Sequence, residues 1–345
     1  MKTPYLASPA LLAWLLLLGA LSLSTTYGTV ALPLSHIWAI LASHCGLPLH
    51  PTWQPWEATI LLEVRLPRIV VAACVGAGLT LCGVTMQGLF RNPLADPGVL
   101  GVSAGAALGA VLAIYLGLAV YTIWAIPLLA CLGAGLTAFT VYTIATRQGR
   151  TPLSTLLLAG VALGALMGAL TSFVLSLSLA NYDIGRQVIL WLLGGLEGRT
   201  WEHVLLVAPV TLLGAAVIVA YARDLDAFLL GEQHATSVGV DVPRVRQRLV
   251  AATSLITGAG VAVSGVIGFV GLIIPHMLRG LLGPGHQRLL PLSMLVGAAF
   301  LVLADCLART IIAPEEMRLG VITAVIGAPF FLVLLLRQRH EGRVE

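Results

Sequence analysis

Long apolar runs, separated by short polar or proline- and glycine-rich segments, recur along the whole chain. Several reach the ~20 residues that a helix needs to cross a bilayer. The pattern therefore predicts an all-α, polytopic membrane protein with a single transmembrane domain over residues 1–345. The expected ten spans are 9–26, 61–83, 98–118, 121–145, 153–178, 202–222, 246–267, 268–282, 289–310 and 318–336.

Two of these spans need comment. The eighth is short and contains Pro275, His276 and Arg279, so we expect a tilted or broken helix there. The first follows Lys2 and has the outline of a signal peptide, but the many spans behind it favour a first transmembrane helix.

The amino-acid composition also indicates a membrane protein. Only 10% of the residues are charged, where soluble domains average roughly 25%, and 58% are hydrophobic. About ten spans leave no room for a large soluble domain. The cysteines are scattered without CxxC spacing, which predicts small apolar side chains rather than a disulfide or zinc framework; they are Cys45, Cys74, Cys82, Cys131 and Cys306.

The basic residues divide unevenly between the two sides of the membrane. With a cytoplasmic N-terminus, 13 of them fall inside and 6 outside, so both termini are predicted to be cytoplasmic. No basic run is long enough to indicate nucleic-acid binding. The predicted outer arginines are Arg65, Arg68, Arg186, Arg199, Arg309 and Arg318. An outer aromatic belt is predicted at Trp38, Trp53, Trp56, Trp191 and Trp201.

A short internal repeat occurs at an offset of 182 residues. Residues 76–84 match residues 258–266, which places the repeat in spans two and seven. A unit of five helices is odd, so the two halves, about 1–200 and 201–345, are predicted to have opposite orientations, as in many transporters. Chance similarity of Gly- and Ala-rich segments is the alternative. Two glycine ladders at four-residue spacing predict close helix packing: Gly101, Gly105, Gly109 and Gly160, Gly164, Gly168.

Two polar segments break the apolar pattern. Residues 87–98 contain two prolines and an Asn-Pro step, which exclude a continuous helix and predict either a rigid turn or the inner mouth of a pathway. Residues 223–248 form the one long polar stretch, with amphipathic spacing and two glycines. Its acids and bases nearly balance, which favours a cytoplasmic protein partner over the lipid surface.

Five segments together resemble the permease subunits of type II ABC importers, the family that imports vitamin B12, ferric siderophores and haem. They run in the family's order from about residue 61 to residue 336. These segments are Arg65-Leu66-Pro67-Arg68, residues 87–105, the Gly-Glu-x-x-Ala-x-x-x-Gly pattern at 231–239, residues 268–279, and residues 304–309.

The resemblance implies a homodimer, or a closely related pair, of ten-helix subunits in a bacterial or archaeal cytoplasmic membrane. Two ATPase subunits would bind ATP and Mg²⁺ below it, and a periplasmic or lipid-anchored binding protein would dock above. The chain itself has no P-loop, so it is expected to be no enzyme, to have no catalytic residues and to bind no cofactor or metal.

The resemblance also implies roles for individual residues. A coupling loop, about 223–248, would contact the ATPase through Gly231, Glu232, Ala235 and Gly239. Outward-facing arginines would meet glutamates of the binding protein, with a local Asp305–Arg309 pair as the alternative; these docking arginines are Arg65, Arg68 and Arg309. The pathway and its cytoplasmic gate would use Gln87, Asn92, Pro93, Leu153, Ser154 and Thr155.

The predicted cargo is an iron chelate, a ferric siderophore or haem, with cobalamin as the alternative. His36, His44 and His50 lie in an outer loop where haem ligation is conceivable, but solvated histidines are the better expectation; His276 is expected to pack or hydrogen-bond. A secondary transporter driven by an ion gradient would also suit an inverted repeat. It usually needs acids buried in the membrane, and only Asp305 lies within a span.

Overall fold

The computed structural model describes residues 9–47, 52–146 and 151–341, and this part of the chain is helical with no strand. His50 lies outside the described residues. The helices are α1 Pro9–Thr26, α2 Leu34–His44, α3 Pro55–Thr59, α4 Leu66–Phe90, α5 Val102–Tyr115, α6 Ala125–Ala145, α7 Leu153–Ser178, α8 Tyr182–Leu192, α9 Trp201–Ala220, α10 Ala222–Leu229, α11 Glu232–Ser237, α12 Val242–Ser264, α13 Val270–Leu282, α14 His286–Thr310 and α15 Leu319–Glu341.

Ten of these helices correspond to the ten predicted spans. Six are long and apolar enough to cross a membrane: α1, the continuous segment Pro55–Phe90, α6, α7, α9 and α14. The helices α5, α13 and the Leu319–Val333 part of α15 are shorter but apolar. The predicted short eighth span is α13, with 13 residues and Pro275 inside it. The chain is therefore an all-α polytopic membrane protein.

We use the predicted topology to name the two ends of the molecule. The outer end carries Arg65 and Trp201, and the inner end carries α10 and α11. The short helices α2, α3 and α8 all lie near the outer end, and the apolar pattern did not predict them because each is too short to span. The tryptophan belt needs one correction: Trp191 is only 9% exposed, so it is covered by other parts of the protein and does not lie at the lipid interface.

Helix α4 forms the centre of the bundle. It packs against α9, α12, α13 and α14, and most of its residues are buried. Glycines make these approaches possible, because a Cβ on Gly76 would lie 2.3 Å from the Gly297 carbonyl oxygen, and one on Gly83 would lie 1.9 Å from that of Gly271. Small residues on every side allow one helix to hold four neighbours.

The two helices that contain the repeat segments, α4 and α12, pack against each other. Cys82 Sγ donates to the Thr253 carbonyl oxygen at 3.5 Å, Gly78 meets Ile256, and Gly260 meets Val75 nearer the outer end. The sequence numbers rise along α4 as they fall along α12, so these two helices run antiparallel. Opposite directions for equivalent helices are what an inverted repeat requires.

The glycine ladders pack helices against each other, with one exception. Gly105 and Gly109 face α6, while Gly160 faces the backbone of Val99 and Leu100. Gly168 has no atom of another residue within 4 Å of an added Cβ. It belongs instead to an exposed part of α7.

Candidate functional site

The coupling loop folds into two short helices, α10 and α11. Gly231 and Gly239 have φ values of +109° and +91°, a region that favours glycine, and they delimit α11 on either side. Ala235 is fully buried, whereas Glu232 is partly exposed. The loop is shorter than predicted, because α12 begins at Val242 and takes residues 242–248 into its first two turns. The result is a compact, amphipathic helix pair at the inner end.

Arg246 of α12 joins this helix pair to the start of α7. One guanidinium nitrogen donates to Glu232 Oε1 at 2.5 Å, and another donates to the Thr151 carbonyl oxygen. Arg246 is 6% exposed. Thr151 in turn shares a 2.9 Å hydrogen bond with Thr146 at the end of α6. Arg246 therefore connects α11 to the backbone that precedes α7.

The segment 87–98 is partly helix and partly a rigid turn. Helix α4 continues through Phe90, and Arg91 ends it in the left-handed region at φ +48°. The Asn92 side chain accepts from Leu94 N at 2.9 Å, and Asp96 accepts from Gly98 N at 2.7 Å to cap a 3₁₀ turn at Pro97–Leu100. These hydrogen bonds hold residues 92–98 in a rigid turn, which was one of the two alternatives for this segment.

The predicted pathway residues of this segment have different environments. Gln87 is buried and bridges to α13, where it donates to the Gly271 carbonyl oxygen at 3.3 Å and accepts from Arg279. Asn92 and Pro93 are exposed. Gln87 therefore has a packing role within the chain, and only the turn itself lies open to the inner end.

Helix α7 has one buried face and one broad exposed face. Its exposed residues divide into two stripes by helical spacing. One stripe is strongly apolar and contains Leu166, Phe173 and Leu177. The other begins at Ser154 and is mixed: Leu158 and Val161 are exposed apolar residues of its inner half, whereas Ala165, Ser172 and Ser176 are exposed small or hydroxyl-bearing residues further out. The gate residues Leu153, Ser154 and Thr155 occupy the first turn of this helix, and Leu153 is half-buried while the other two are exposed.

The three docking arginines are buried, with exposed fractions of 3% for Arg65, 7% for Arg68 and 4% for Arg309. Arg65 donates to three backbone carbonyl oxygens, including that of Thr25 at 2.6 Å. The expectation that these groups face outward is not met, because each guanidinium has partners inside the chain.

The partners of Arg68 and Arg309 form an ion-pair network. Arg68 contacts Asp305 at 2.9 Å and Glu316 at 2.8 Å. Arg309 contacts Asp305 at 3.1 Å, which is the local pair considered as the alternative, and donates to Ser24 Oγ of α1 at 2.6 Å. Buried charges of this kind are tolerated when they are paired and hydrogen-bonded. Docking by these residues stays a prediction.

The other three outer arginines line an open cleft of about 470 Å³ at the outer end. Its walls are α8, the segment 195–199, the end of α12 and the residue before α15. Arg186, Arg199 and Arg318 contribute three positive charges, and Asp183 and Glu197 contribute two negative charges. We call this feature the outer cleft.

Arg199 is the unusual member of the outer cleft. Among the described residues its one side-chain partner is His203 Nε2 at 3.1 Å, and its Nε atom is buried without a hydrogen-bond partner. Burial and the nearby Arg68 lower the pKa of Arg199 to about 10. No acidic group of the described residues lies within 4.0 Å of it. An uncompensated guanidinium of this kind is costly unless a ligand supplies the anion.

Comparison of the whole chain with known proteins identifies its family. The FecCD transport family matches residues 15–337. The chain belongs to the FecCD transport family. The cobalamin import system permease protein BtuC of Halobacterium salinarum is 48% identical over 301 residues, which is 86% of this chain and 79% of that protein.

A second relative and a solved structure are also similar to this chain over most of its length. The Fe(3+) dicitrate transport system permease protein FecD of Escherichia coli is 40% identical over 309 residues, 87% of this chain and 95% of that protein. A solved inward-facing ABC transporter of metal-chelate type has a TM-score of 0.83 and 33% identity, and the match covers 95% of this chain and 98% of that one. This FecCD chain is therefore a permease subunit of a type II ABC importer.

His36 and His276 of this FecCD permease contact neighbouring side chains of the same chain. His36 pairs with Glu57 at 3.0 Å, and His276 makes an edge contact with Phe330 at a ring distance of 6.2 Å. No group of three or more His, Cys, Asp or Glu side chains that could hold a metal ion occurs in the described part of the chain. All five cysteines are free.

Sequence reasoning missed three residues that organise the two ends of the permease. They are Arg199, Arg246 and Glu316. The first two were assigned only to a side of the membrane by their charge. Glu316 lies 248 residues from its partner Arg68, and no local pattern links residues so far apart. The one available signal was that arginines near span ends need anionic or carbonyl partners.

Proposed function

We propose that this permease forms the translocation path of an importer that takes up a bulky metal chelate, with energy supplied by separate ATPase subunits. The observation that carries the proposal is the continuous connection from α11 through Arg246 to Thr151. Rigid-body movement of packed helices is a common way to switch between two states. Closure of the ATPases, which bind ATP and Mg²⁺, would move α11 and reorient α7.

The path itself would run along the mixed stripe of α7 that begins at Ser154, where small and hydroxyl-bearing residues alternate with Leu158 and Val161. Ser154, Gly168 and Ser172 lie on it, and side chains of this kind suit a passage that does not bind its cargo tightly. The path would be completed by the same stripe of a second copy of the chain in a homodimer. The exposed turn at Asn92 and Pro93 would border its inner mouth.

A binding protein would deliver the cargo at the outer end. The docking arginines supply positive charge beneath this surface, but their guanidinium groups are already paired within the chain. Their contribution would therefore be to fix the shape of the docking surface, and long-range attraction would aid the rate of encounter more than the affinity.

An ion-driven carrier is less well supported. Such a carrier needs a buried acid that can gain and lose a proton. Asp305 is 1% exposed, and both Arg68 and Arg309 already contact it as ion-pair partners within the chain. The energy source proposed here is accordingly the ATPase partner.

Two cargo classes have specific support. Iron chelates were expected from the sequence, and the relative FecD is named for Fe(3+) dicitrate transport. Cobalamin is supported by the 48% identity to an import permease named for it. Binding of haem, ferric siderophores and cobalamin to the cognate binding protein, followed by uptake into proteoliposomes, decides between these classes.

The coupling assignment is tested by co-expression with an ATPase subunit of this importer class. We expect the two to co-purify, and we expect Glu232→Arg to abolish chelate-stimulated ATP hydrolysis. The double variant Glu232→Arg with Arg246→Glu restores the internal ion pair in reverse. If Glu232 itself contacts the ATPase, the double variant stays uncoupled; if the internal pair is what matters, it recovers. Failure of the wild-type chain to co-purify would contradict the proposed function.

A further inference from the structure

The outer cleft contains more hydrogen-bond donors than the chain itself satisfies. Arg318 is paired with Glu197 at 3.1 Å, and Asp183 lies in the first turn of α8. Arg186 is exposed, and its side chain makes no hydrogen bond or ion pair with any other described residue. The indole Nε1 of Trp191 and Nε of Arg199 are both buried and have no partner.

Unpaired buried donors are rare in folded proteins, and each one needs a partner. Water can satisfy the indole N–H, but an uncompensated guanidinium is neutralised best by an anion. Arginine presents its donors in a planar fork that matches the two oxygens of a carboxylate. The chemistry of this cleft is therefore that of a carboxylate receptor.

Size and position point to a small molecule as the source of the carboxylate. A cavity of about 470 Å³ falls within the range of roughly 300–1,000 Å³ that is usual for small-ligand sites. The cleft also lies at the outer end, where the outer ends of α8, α12 and α15 converge. Helix α8, which lines the cleft, packs against α7, so the cleft lies beside the outer end of the proposed path.

We propose that the outer cleft binds a carboxylate group of the cargo chelate, with Arg199 and Arg186 as the binding cations and the Trp191 indole as a further donor. This inference rests on the proposed import function and specifies its substrate class as carboxylate-bearing metal chelates. Arg318 keeps its pair with Glu197 and borders the site. The carboxylate provides the negative charge that Arg199 lacks.

The test uses the permease purified in detergent together with its ATPase, and the probe is radiolabelled citrate in equilibrium dialysis. We expect saturable binding that weakens as salt is added. Arg199→Gln and Arg186→Gln should each weaken it about tenfold or more, because each removes a charge-assisted hydrogen bond. Trp191→Phe should weaken it less. Arg288→Gln, an exposed inner arginine with the same change in charge, is the matched control and should bind citrate like the wild type.

Three outcomes would overturn the proposal. Wild-type protein could show no saturable citrate binding, or all the arginine variants could bind as the wild type does. In the third, citrate does not bind, but Arg186→Gln slows the association of the binding protein. That result would mean that the cleft binds a carboxylate side chain of the binding protein and not one of the cargo. Arg186 is exposed, so its variant is informative even if Arg199→Gln does not fold. Co-purification with the ATPase is scored separately, so a failure of the import function is recognised independently.

Discussion

Buried charged residues at the two ends of the molecule differ in how they are compensated. Arg68 has two carboxylate partners, and its removal would leave Asp305 and Glu316 facing each other with less positive charge. Breaking such a buried pair typically costs about 3–5 kcal/mol. Charge reversal of Arg68 would therefore disturb the fold before it reports on docking. Arg199 has no carboxylate within 4.0 Å among the described residues, which is the basis for the ligand proposed for the outer cleft.

Asp96 allows a prediction about pH at the residue scale. Its carboxyl accepts from Gly98 N and points toward Gly271, and burial raises its pKa while the hydrogen bond opposes the shift. An acid with a raised pKa in the folded state loses its proton first in the unfolded state. Stability therefore falls as pH rises from the unfolded pKa, about 3.9, through the folded pKa.

We expect Asp96→Asn to remove this pH dependence, because the amide oxygen still accepts from Gly98 N but carries no charge. Thermal unfolding midpoints in detergent should match those of the wild type at low pH and exceed them near neutral pH. Asp96→Ala is the control: it lacks both the charge and the cap, so it should be about 1 kcal/mol less stable than Asp96→Asn at every pH. Equal pH profiles for wild type and Asp96→Asn would refute the account.

At the scale of elements, glycine positions decide how closely helices approach. The segments 87–98 and 223–248 were recognised as irregular because proline, glycine and charge interrupt the apolar pattern there. The glycine ladders show only that one face of a helix carries small side chains. They do not show which neighbouring helix that face contacts. Gly83 meets the Gly271 carbonyl, whereas Gly135 has no neighbouring atom within 4 Å of an added Cβ.

We expect Gly83→Ala to destabilise the permease by about 1–3 kcal/mol, because the new methyl group forces α4 and α13 apart. Gly135→Ala makes the same chemical change in α6 without a clash and should be neutral or stabilising by up to ~1 kcal/mol, as helix propensity dictates. Thermal unfolding in detergent compares the two. If both variants lose a similar amount of stability, the close α4–α13 contact at Gly83 is not the cause of the loss.

At the scale of the whole molecule, Arg246 connects the ATPase-facing end to the helix proposed to line the path. Arg246→Met keeps most of the apolar stem but removes the donors to Glu232 and Thr151. We expect a folded complex that still hydrolyses ATP but imports cargo about tenfold more slowly, since two hydrogen bonds of a charged group no longer transmit the movement.

The control for this variant is Arg244→Met, two residues away on the same helix. Arg244 is exposed and pairs only with Asp241, at i,i+3, a contact worth roughly 0.2–1 kcal/mol. Uptake and ATP hydrolysis should stay coupled in this variant. If uptake by Arg246→Met equals that of Arg244→Met, the connection from α11 to α7 is not part of the transport cycle.

The sequence by itself determined the membrane class, ten spans, the two irregular segments and the family, because apolar length and short motifs are local properties. It did not determine which arginine meets which partner. Arg65, Arg68 and Arg309 carry the family motif but are enclosed by α1, α4 and α14, and Arg199 carries no motif but lies open in the outer cleft. Compensation of a buried charge depends on groups up to 248 residues away, and only the tertiary structure brings those groups together.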